Sequence, residues 1–369
     1  MGIRKSPLEN MGLNPDFWRE NTVLVTGHTG FKGSWLTLWL TLLRARVVGY
    51  SLPPPTNPSL FESARIHEGI TSITGDVRDF EKLLSVIQEH RPSIVMHLAA
   101  QSLVRRSYDD PIETFSTNVM GTVNVLEACR RSRSVSALLV VTSDKCYENN
   151  EWPWPYREND RLGGHDPYSS SKACAELVTS AYTRSFFSDR SEPSTAVNIA
   201  TARTGNVLGG GDWAEDRLVP DIMRAWLDNR PVRIRNPHAL RPWQHVLDPL
   251  RGYLMLIERL IAPDGKDFCE AWNFGPDPGE QATVRDVAER VGQLWGCDAV
   301  EFLGERAVLH EASLLRLDVT KARARLDWRH RWGLDRALEE TVAWYKAWHY
   351  GKNIREYTLA QISTYIGQA

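Results

Sequence analysis

A chain of 369 residues, 42% hydrophobic and 24% charged, can bury a large core and is expected to form two lobes. Its formal charge of -2 and isoelectric point of about 6.6 favour neither nucleic acid nor an anionic membrane, so a phosphate-bearing ligand must be held by local groups. The five cysteines are odd in number and lack CxxC spacing, which argues against a disulfide framework or a bound metal and fits a reducing cytoplasm.

The opening segment MGIRKSPLENMGLNPDFW has no apolar core of the signal-peptide kind. Val23-Leu24-Val25 then reads as a buried strand, followed directly by Thr26-Gly27-His28-Thr29-Gly30-Phe31-Lys32-Gly33 and a helix from Phe31 to Arg44. Glycines three residues apart between a strand and a helix permit a tight turn, close approach of backbone to a pyrophosphate and close helix–strand packing. The helix N-terminus adds amide donors. The longest apolar stretch, Trp35 to Leu43, is interrupted by Thr37 and Thr41 and is about half the ~20 residues a bilayer span needs, so a soluble protein is expected. The second strand, Arg46 to Tyr50, ends in Tyr50-Ser51-Leu52-Pro53. No acid stands there for the ribose of NAD, and no arginine just after it for the 2′-phosphate of NADP.

A third strand at Ile70–Thr74 leads into Gly75-Asp76-Val77-Arg78-Asp79, where Asp76 can accept an adenine amino group and Asp79 can cap a helix Asp79–His90. The fourth, Ile94–His97, runs into Leu98-Ala99-Ala100-Gln101, small residues that let backbone lie against a nicotinamide ribose; His97 itself reads as a core histidine. A helix over Pro111–Arg131 contains Thr117 and Asn118, and an Asn in mid-helix is unfavourable enough to imply a hydrogen-bonding task. Strand five, Ala137–Val141, delivers Thr142-Ser143-Asp144-Lys145. A helix Tyr168–Phe187 opens with Tyr168-Ser169-Ser170-Ser171-Lys172, and strand six spans Thr195–Ala200. This alternation predicts a doubly wound parallel sheet with helices on both faces.

After Arg203 the rhythm breaks. Arg203-Thr204-Gly205-Asn206 and Gly209-Gly210-Gly211-Asp212-Trp213 fall at the carboxyl edge of the sheet, where such folds bind ligands; the plain reading of the glycine run is a flexible loop. A helix at Leu218–Asp228, mixed segments near Trp243–Leu260 and a helical tail from Asp318 to Trp348 complete a smaller, discontinuous lobe. The expected division assigns residues 20–202 and about 244–272 to a dinucleotide-binding domain, and about 203–243 with 273–369 to a substrate domain. Trp152 and Trp154 either cover the site or anchor their own loop, whereas Trp328, Trp332, Trp344 and Trp348, at near-helical intervals, read as packing residues.

Ser143, Tyr168 and Lys172 form a set that can take the proton of a sugar hydroxyl while a nicotinamide takes the hydride. Asp144 and Lys145 beside them suggest a second task, expelling a hydroxyl as water. The plain alternative is a solvated ion pair at a strand end.

In this order the motifs resemble the extended short-chain dehydrogenase/reductases over nearly the whole chain. Gly27–Trp35, Thr142–Tyr147 and Arg241-Pro242-Trp243-Gln244-His245-Val246 resemble the nucleotide-sugar 4,6-dehydratases within that family. The resemblance implies a Rossmann-like fold and a tightly held NAD. It also implies conversion of CDP-D-glucose to CDP-4-keto-6-deoxy-D-glucose, toward deoxysugars of bacterial surface polysaccharides. It places the cofactor against Gly27, Thr29, Gly30, Phe31, Lys32, Gly33, Asp76, Val77, Leu98, Ala99, Ala100, Gln101, Thr117, Thr142, Tyr168 and Lys172, and the substrate against Arg203, Asn206, Asp212, Trp213, Arg241 and Asn273. Tyr168, its pKa lowered by Lys172, takes the O4 proton; Ser143 bonds O4; Asp144 protonates the departing O6. In the dTDP-glucose dehydratase pattern a Glu follows the Asp as the C5 base; here Lys145 does. It can act as a base only if its pKa falls from about 10.4 toward neutrality, so the C5 base stays open. A 4-epimerase, a dehydratase of another NDP-hexose and a non-catalytic NAD sensor are the rival readings. The family also pairs Pro111–Arg131 and Tyr168–Phe187 across a twofold axis, which implies a homodimer or homotetramer.

Overall fold

Seven short runs, buried except at the exposed edge strand β3, pair in parallel into one sheet: β1 (Thr22–Thr26), β2 (Arg46–Ser51), β3 (Thr71–Thr74), β4 (Ile94–His97), β5 (Ala137–Val141), β6 (Asn198–Thr204) and β7 (Ala271–Phe274). The structure, a computed structural model, describes residues 12–187, 197–277, 279–280, 282–303 and 314–367. The spatial order is β7-β6-β5-β4-β1-β2-β3, so the winding reverses between β1 and β4. That switch point brings Thr26 opposite both Tyr50 and His97, and opens a crevice beyond the carboxyl ends of the strands.

Alternate residues of each strand face opposite layers, as the pleat demands. Val23, Val25, Ile94, Met96 and Leu139 join one core, packed with α1 (Phe31–Leu42) and with α6 (Leu247–Ile261) of the later chain. Leu24, Val48, Val95, Leu138 and Val140 join the other, with α2 (Phe80–His90) and α3 (Gly121–Arg131). Further helices include α4 (Pro167–Tyr182), α5 (Leu218–Leu227) and α7 (Leu334–His349). Asp79 caps α2, its carboxylate accepting from the Lys82 amide at 3.1 Å.

Several boundaries differ from expectation for local reasons. The helix expected over Pro111–Arg131 is interrupted by a π turn at Ser116–Met120, centred on Asn118, whose side chain bonds both the N–H and the C=O of Gln101. A second π turn, Thr183–Phe187, ends the helix begun at Pro167. Strand six runs Asn198–Thr204; positions 195 and 196 of the expected strand lie outside the described residues. A helix at Ile354–Gly367 was not expected, because its buried side chains mix Thr358 and Gln361 with Ile354, Ile362 and Tyr365 and leave no apolar stripe to read.

The glycine run is a packing requirement and not a flexible loop. A Cβ on Gly210 would fall 2.0 Å from Trp344, and one on Gly209 2.9 Å from Val246 and 3.0 Å from Phe31. Trp35 of α1 donates to the Gly210 carbonyl at 3.0 Å. Trp328, Trp332 and Trp344 are buried, as their spacing suggests. Gly210→Ala is therefore expected to cost about 1–3 kcal/mol, seen as a lower thermal midpoint. Gly275→Ala, whose new methyl meets nothing closer than 3.4 Å, should leave that midpoint near the parent value.

Candidate active site

The segments that follow β1, β4, β5 and β6 converge at the carboxyl edge. After β1, Gly27 takes a φ of +77°, and a Cβ there would sit 2.7 Å from the Ala99 nitrogen; one on Gly33 would lie 2.1 Å from the Gly27 oxygen. The glycine loop is thus pressed against Leu98-Ala99, and Gly30 begins α1 without a side-chain cap, so the helix end is presented by backbone alone. A backbone cradle of this kind fits the pyrophosphate of a dinucleotide. Thr29 bonds Ser51 Oγ and the Leu52 carbonyl, each at 2.9 Å, fastening the cradle to the end of β2. Farther along, Asp76 forks with Arg78 (2.9 and 2.6 Å to one oxygen), which holds its carboxyl below the usual range, and Val77 packs under Gly121. Gln101 is buried against Leu103 and Thr114, Ala100 is half-buried, and Thr117 is half-buried in the π turn. His97 lies between Thr26 (2.7 Å) and Thr122 (3.2 Å); burial, aided by Lys172, lowers it to about 3, so it is a neutral core histidine.

Lys32 departs from a simple phosphate-loop position. Its ammonium donates to Thr204 Oγ1 at 2.8 Å, at the end of β6. Burial lowers its pKa to about 7. Arg217 and Lys172 push the same way, while Asp144 and Asp212 oppose.

At the end of β5 the chain makes a 3-10 turn, Asp144–Cys146, capped by Ser143, whose Oγ accepts from the Lys145 amide at 3.2 Å. The same hydroxyl donates to Asp144 Oδ1 at 3.0 Å and meets the Tyr168 hydroxyl. Tyr168 and Lys172 stand one turn apart on α4, which Asp166 caps by accepting from the Ser169 amide at 2.9 Å. Lys172 Nζ donates to the Val141 carbonyl at 3.2 Å. Ser143, Asp144, Tyr168 and Lys172 are buried and Lys145 is half-buried. Burial pushes Tyr168 up to about 12 against the Ser143 hydrogen bond. Lys172 is itself driven down to about 8 by burial, with Glu176 and Cys146 opposing.

The expected substrate contacts divide. Arg203 is buried in a fork with Glu176 (2.9 Å to each carboxylate oxygen) and also bonds Tyr147 Oη (2.8 Å) and the Glu158 carbonyl (3.0 Å), so its donors serve the fold. Asn273 is likewise taken up: it accepts from Tyr147 Oη at 2.8 Å and donates to the Tyr156 and Asp318 carbonyls. Trp213 is buried edge-on against Tyr345, and Asp212 pairs with Arg217 at 2.8 Å. Asn206 is half-buried, with its carbonyl accepting from Gln244. Arg241 is half-buried and lines a shallow apolar recess with Arg316, Leu240, Pro242, Leu315 and Leu317. Trp152 packs at a tilt against Trp154 and Tyr156, anchoring its loop. Sequence reasoning missed Glu176, Arg217 and Arg316. Arg217 also reaches Ser102 Oγ at 3.0 Å, and the buried Arg316 Nε has no hydrogen-bond partner among the described residues. For Glu176 the four-residue step from Lys172 was visible; for the two arginines no local pattern existed. Arg203→Leu strands the Glu176 carboxylate and should cost about 3–5 kcal/mol, seen as a lower thermal midpoint with substrate KM unchanged.

A family model for GDP-mannose 4,6-dehydratase matches residues 24–341, and the chain belongs to that family. A CDP-glucose 4,6-dehydratase of Salmonella typhimurium is 51% identical over 354 residues, covering 96% of this chain and 98% of that protein. Among solved structures, a UDP-glucose 4-epimerase of Thermus thermophilus in complex with NAD superposes with a TM-score of 0.76 at 25% identity, covering 88% of this chain and 99% of the other. A dTDP-glucose 4,6-dehydratase of Streptomyces venezuelae with NAD bound gives 0.75 at 23%, covering 88% and 96%. The latter likeness shows the shared fold.

Proposed function

We propose, starting from that family membership, that this protein is an NAD-dependent enzyme that converts CDP-D-glucose to CDP-4-keto-6-deoxy-D-glucose. The observation that carries the reading is the buried Asp144 carboxyl, which accepts the hydroxyl of Ser143 within the same cluster as Tyr168. A 4-epimerase uses Ser143, Tyr168 and Lys172 but has no task for an acid at that point. The 51% identity to a CDP-glucose 4,6-dehydratase supports the same choice of reaction and base.

The residues divide the work as follows. Tyr168 takes the O4 proton, Lys172 favours its ionised form, and Ser143 bonds O4 as the carbonyl develops. NAD, held when bound by the glycine cradle, Leu98-Ala99, Tyr168 and Lys172, supplies hydride acceptance at C4, hydride return at C6 and a positive nicotinamide charge. The C4 ketone acidifies C5–H, and Asp144 in its protonated form donates to O6 so that water departs. Lys145, in the same turn, either takes the C5 proton when neutral or stands against the enolate when charged. Arg241 and Arg316 form charge-assisted bonds to the diphosphate, with the apolar recess between them for the nucleoside.

Two lobes follow from this division. The sheet through β7 holds the cofactor, and the remainder of the later chain holds the sugar nucleotide. Ile112, Phe115 and Met120 before α3, and Leu177 and Phe186 on the α4 segment, are exposed apolar side chains suited to a twofold helical interface. A cytoplasmic setting fits the five free thiols. Among the described residues no helix is long and apolar enough to cross a membrane.

Mass spectrometry should show loss of one water from CDP-glucose; an isomer or unchanged substrate would contradict the reading. Asp144→Asn should slow elimination by a factor on the order of 10²–10⁴ while oxidation at C4 continues, so quenched mixtures should contain the 4-keto hexose nucleotide. If that species exchanges C5–H with deuterium oxide in Asp144→Asn and fails to in Asp144→Asn/Lys145→Met, Lys145 is the base; exchange in both leaves it the stabilising charge. Light scattering should return at least twice 41.9 kDa, and Leu177→Glu should lower the mass toward 41.9 kDa.

A further inference from the structure

One turn beyond Lys172 on α4, the buried carboxylate of Glu176 accepts four hydrogen bonds. Thr142 Oγ1 and Thr201 Oγ1 (the latter at 2.7 Å) donate from β5's end and from β6, and Arg203 Nε and Nη2 donate at 2.9 Å each. One side chain therefore ties the helix bearing Tyr168 and Lys172 to the strand ends bearing Ser143 and Gly205. Burial alone would push this carboxyl up, but the Arg203 guanidinium and the two threonine hydroxyls hold it below the ordinary range, so it is charged.

We propose that Glu176 is a positioning residue for the reaction: from one turn behind Lys172 it supplies the fixed negative charge that Lys172 faces, and it anchors Thr142 at the head of the Ser143–Asp144 turn. The proposal rests on the dehydratase reading above. Other groups around Lys172 do not replace that charge. Tyr168, on the same helix, is driven toward its neutral form. The Cys146 thiol in the turn after β5 is pushed up by burial and stays neutral, as does His97 on β4. Lys32, on α1, opposes Lys172 when protonated, and Asp144 acts on Lys32 and on Tyr168. Burial lowers Lys172 to about 8 even with Glu176 in place. Without Glu176 the lysine loses its proton at lower pH, its support for ionised Tyr168 weakens, and Tyr168 ionises at higher pH.

The test is the pH profile of kcat for dehydration of CDP-glucose by the NAD-loaded enzyme. Glu176→Gln should move the acid limb up by about one pH unit and lower kcat at pH 7 about tenfold, with KM within about twofold. Because the single variant strands the Arg203 cation in the core, Glu176→Gln/Arg203→Met is made in parallel; it removes both charges, is expected to fold, and should move the limb the same way by a smaller amount, because Lys172 also loses the repulsion of the Arg203 cation. Glu176→Asp keeps the charge and should keep the parent limb. A folded double variant with the parent profile, or Glu176→Asp shifted as far as Glu176→Gln, overturns the proposal, since a merely structural side chain would lower the thermal midpoint without moving the limb. A parent enzyme that forms no dehydrated product would instead overturn the dehydratase reading.

Discussion

Gly27 and Ala99 touch backbone to backbone where the winding of the sheet reverses, and the geometry of the site depends on that contact. A side chain at Gly27 would collide with the Ala99 nitrogen at 2.7 Å, so the segments after β1 and β4 can lie this close only with glycine there. Gly33, pressed on the Gly27 carbonyl, sets α1 tight against the same turn. From that fixed start α1 sends Lys32 across to Thr204 and Trp35 to the Gly210 carbonyl. The helix that presents a cofactor cradle therefore also locates the glycine run of the later chain, and cradle and sugar end share one mechanical reference.

Around that reference the reaction centre is built from charges that burial would otherwise suppress. Tyr168 is driven up, while Lys32 and Lys172 are driven down, and each has a counter-influence nearby: Ser143 for the phenol, Asp144 and Asp212 for Lys32, Glu176 for Lys172. A low-dielectric pocket with fixed partners strengthens each of these effects relative to water. It also explains why Arg203 sits where it does. The sequence position at the carboxyl edge suggests a ligand contact, but a buried carboxylate at Glu176 needs a cation, and a bidentate guanidinium on the adjacent strand meets that need.

Features governed by local periodicity were legible in the sequence. Six of the seven strands were marked by short β-branched or apolar runs, whereas β7 was not; the Asp79 cap stands at the start of α2, and the four-residue step of Tyr168 and Lys172 puts both on one helical face. What was not legible depends on partners far along the chain. Asn273 is taken up by Tyr147 and Tyr156, more than a hundred residues earlier, and Lys32 by Thr204. Arg217 and Arg316 lie in irregular segments where neither spacing nor propensity marks a role. The π turn at Asn118 falls between: the unfavourable mid-helix Asn was visible, but its partner Gln101 emerges only once β4 and the helix are packed together.

The central claim is that oxidation at C4 and loss of water at C6 occur in one site and one cycle. The most direct measurement uses CDP-glucose deuterated at C4, with the product examined by NMR. The account predicts deuterium in the C6 methyl group of a 4-keto-6-deoxy product. Deuterium retained at C4 of an isomeric hexose, as an epimerase would leave it, would contradict the account.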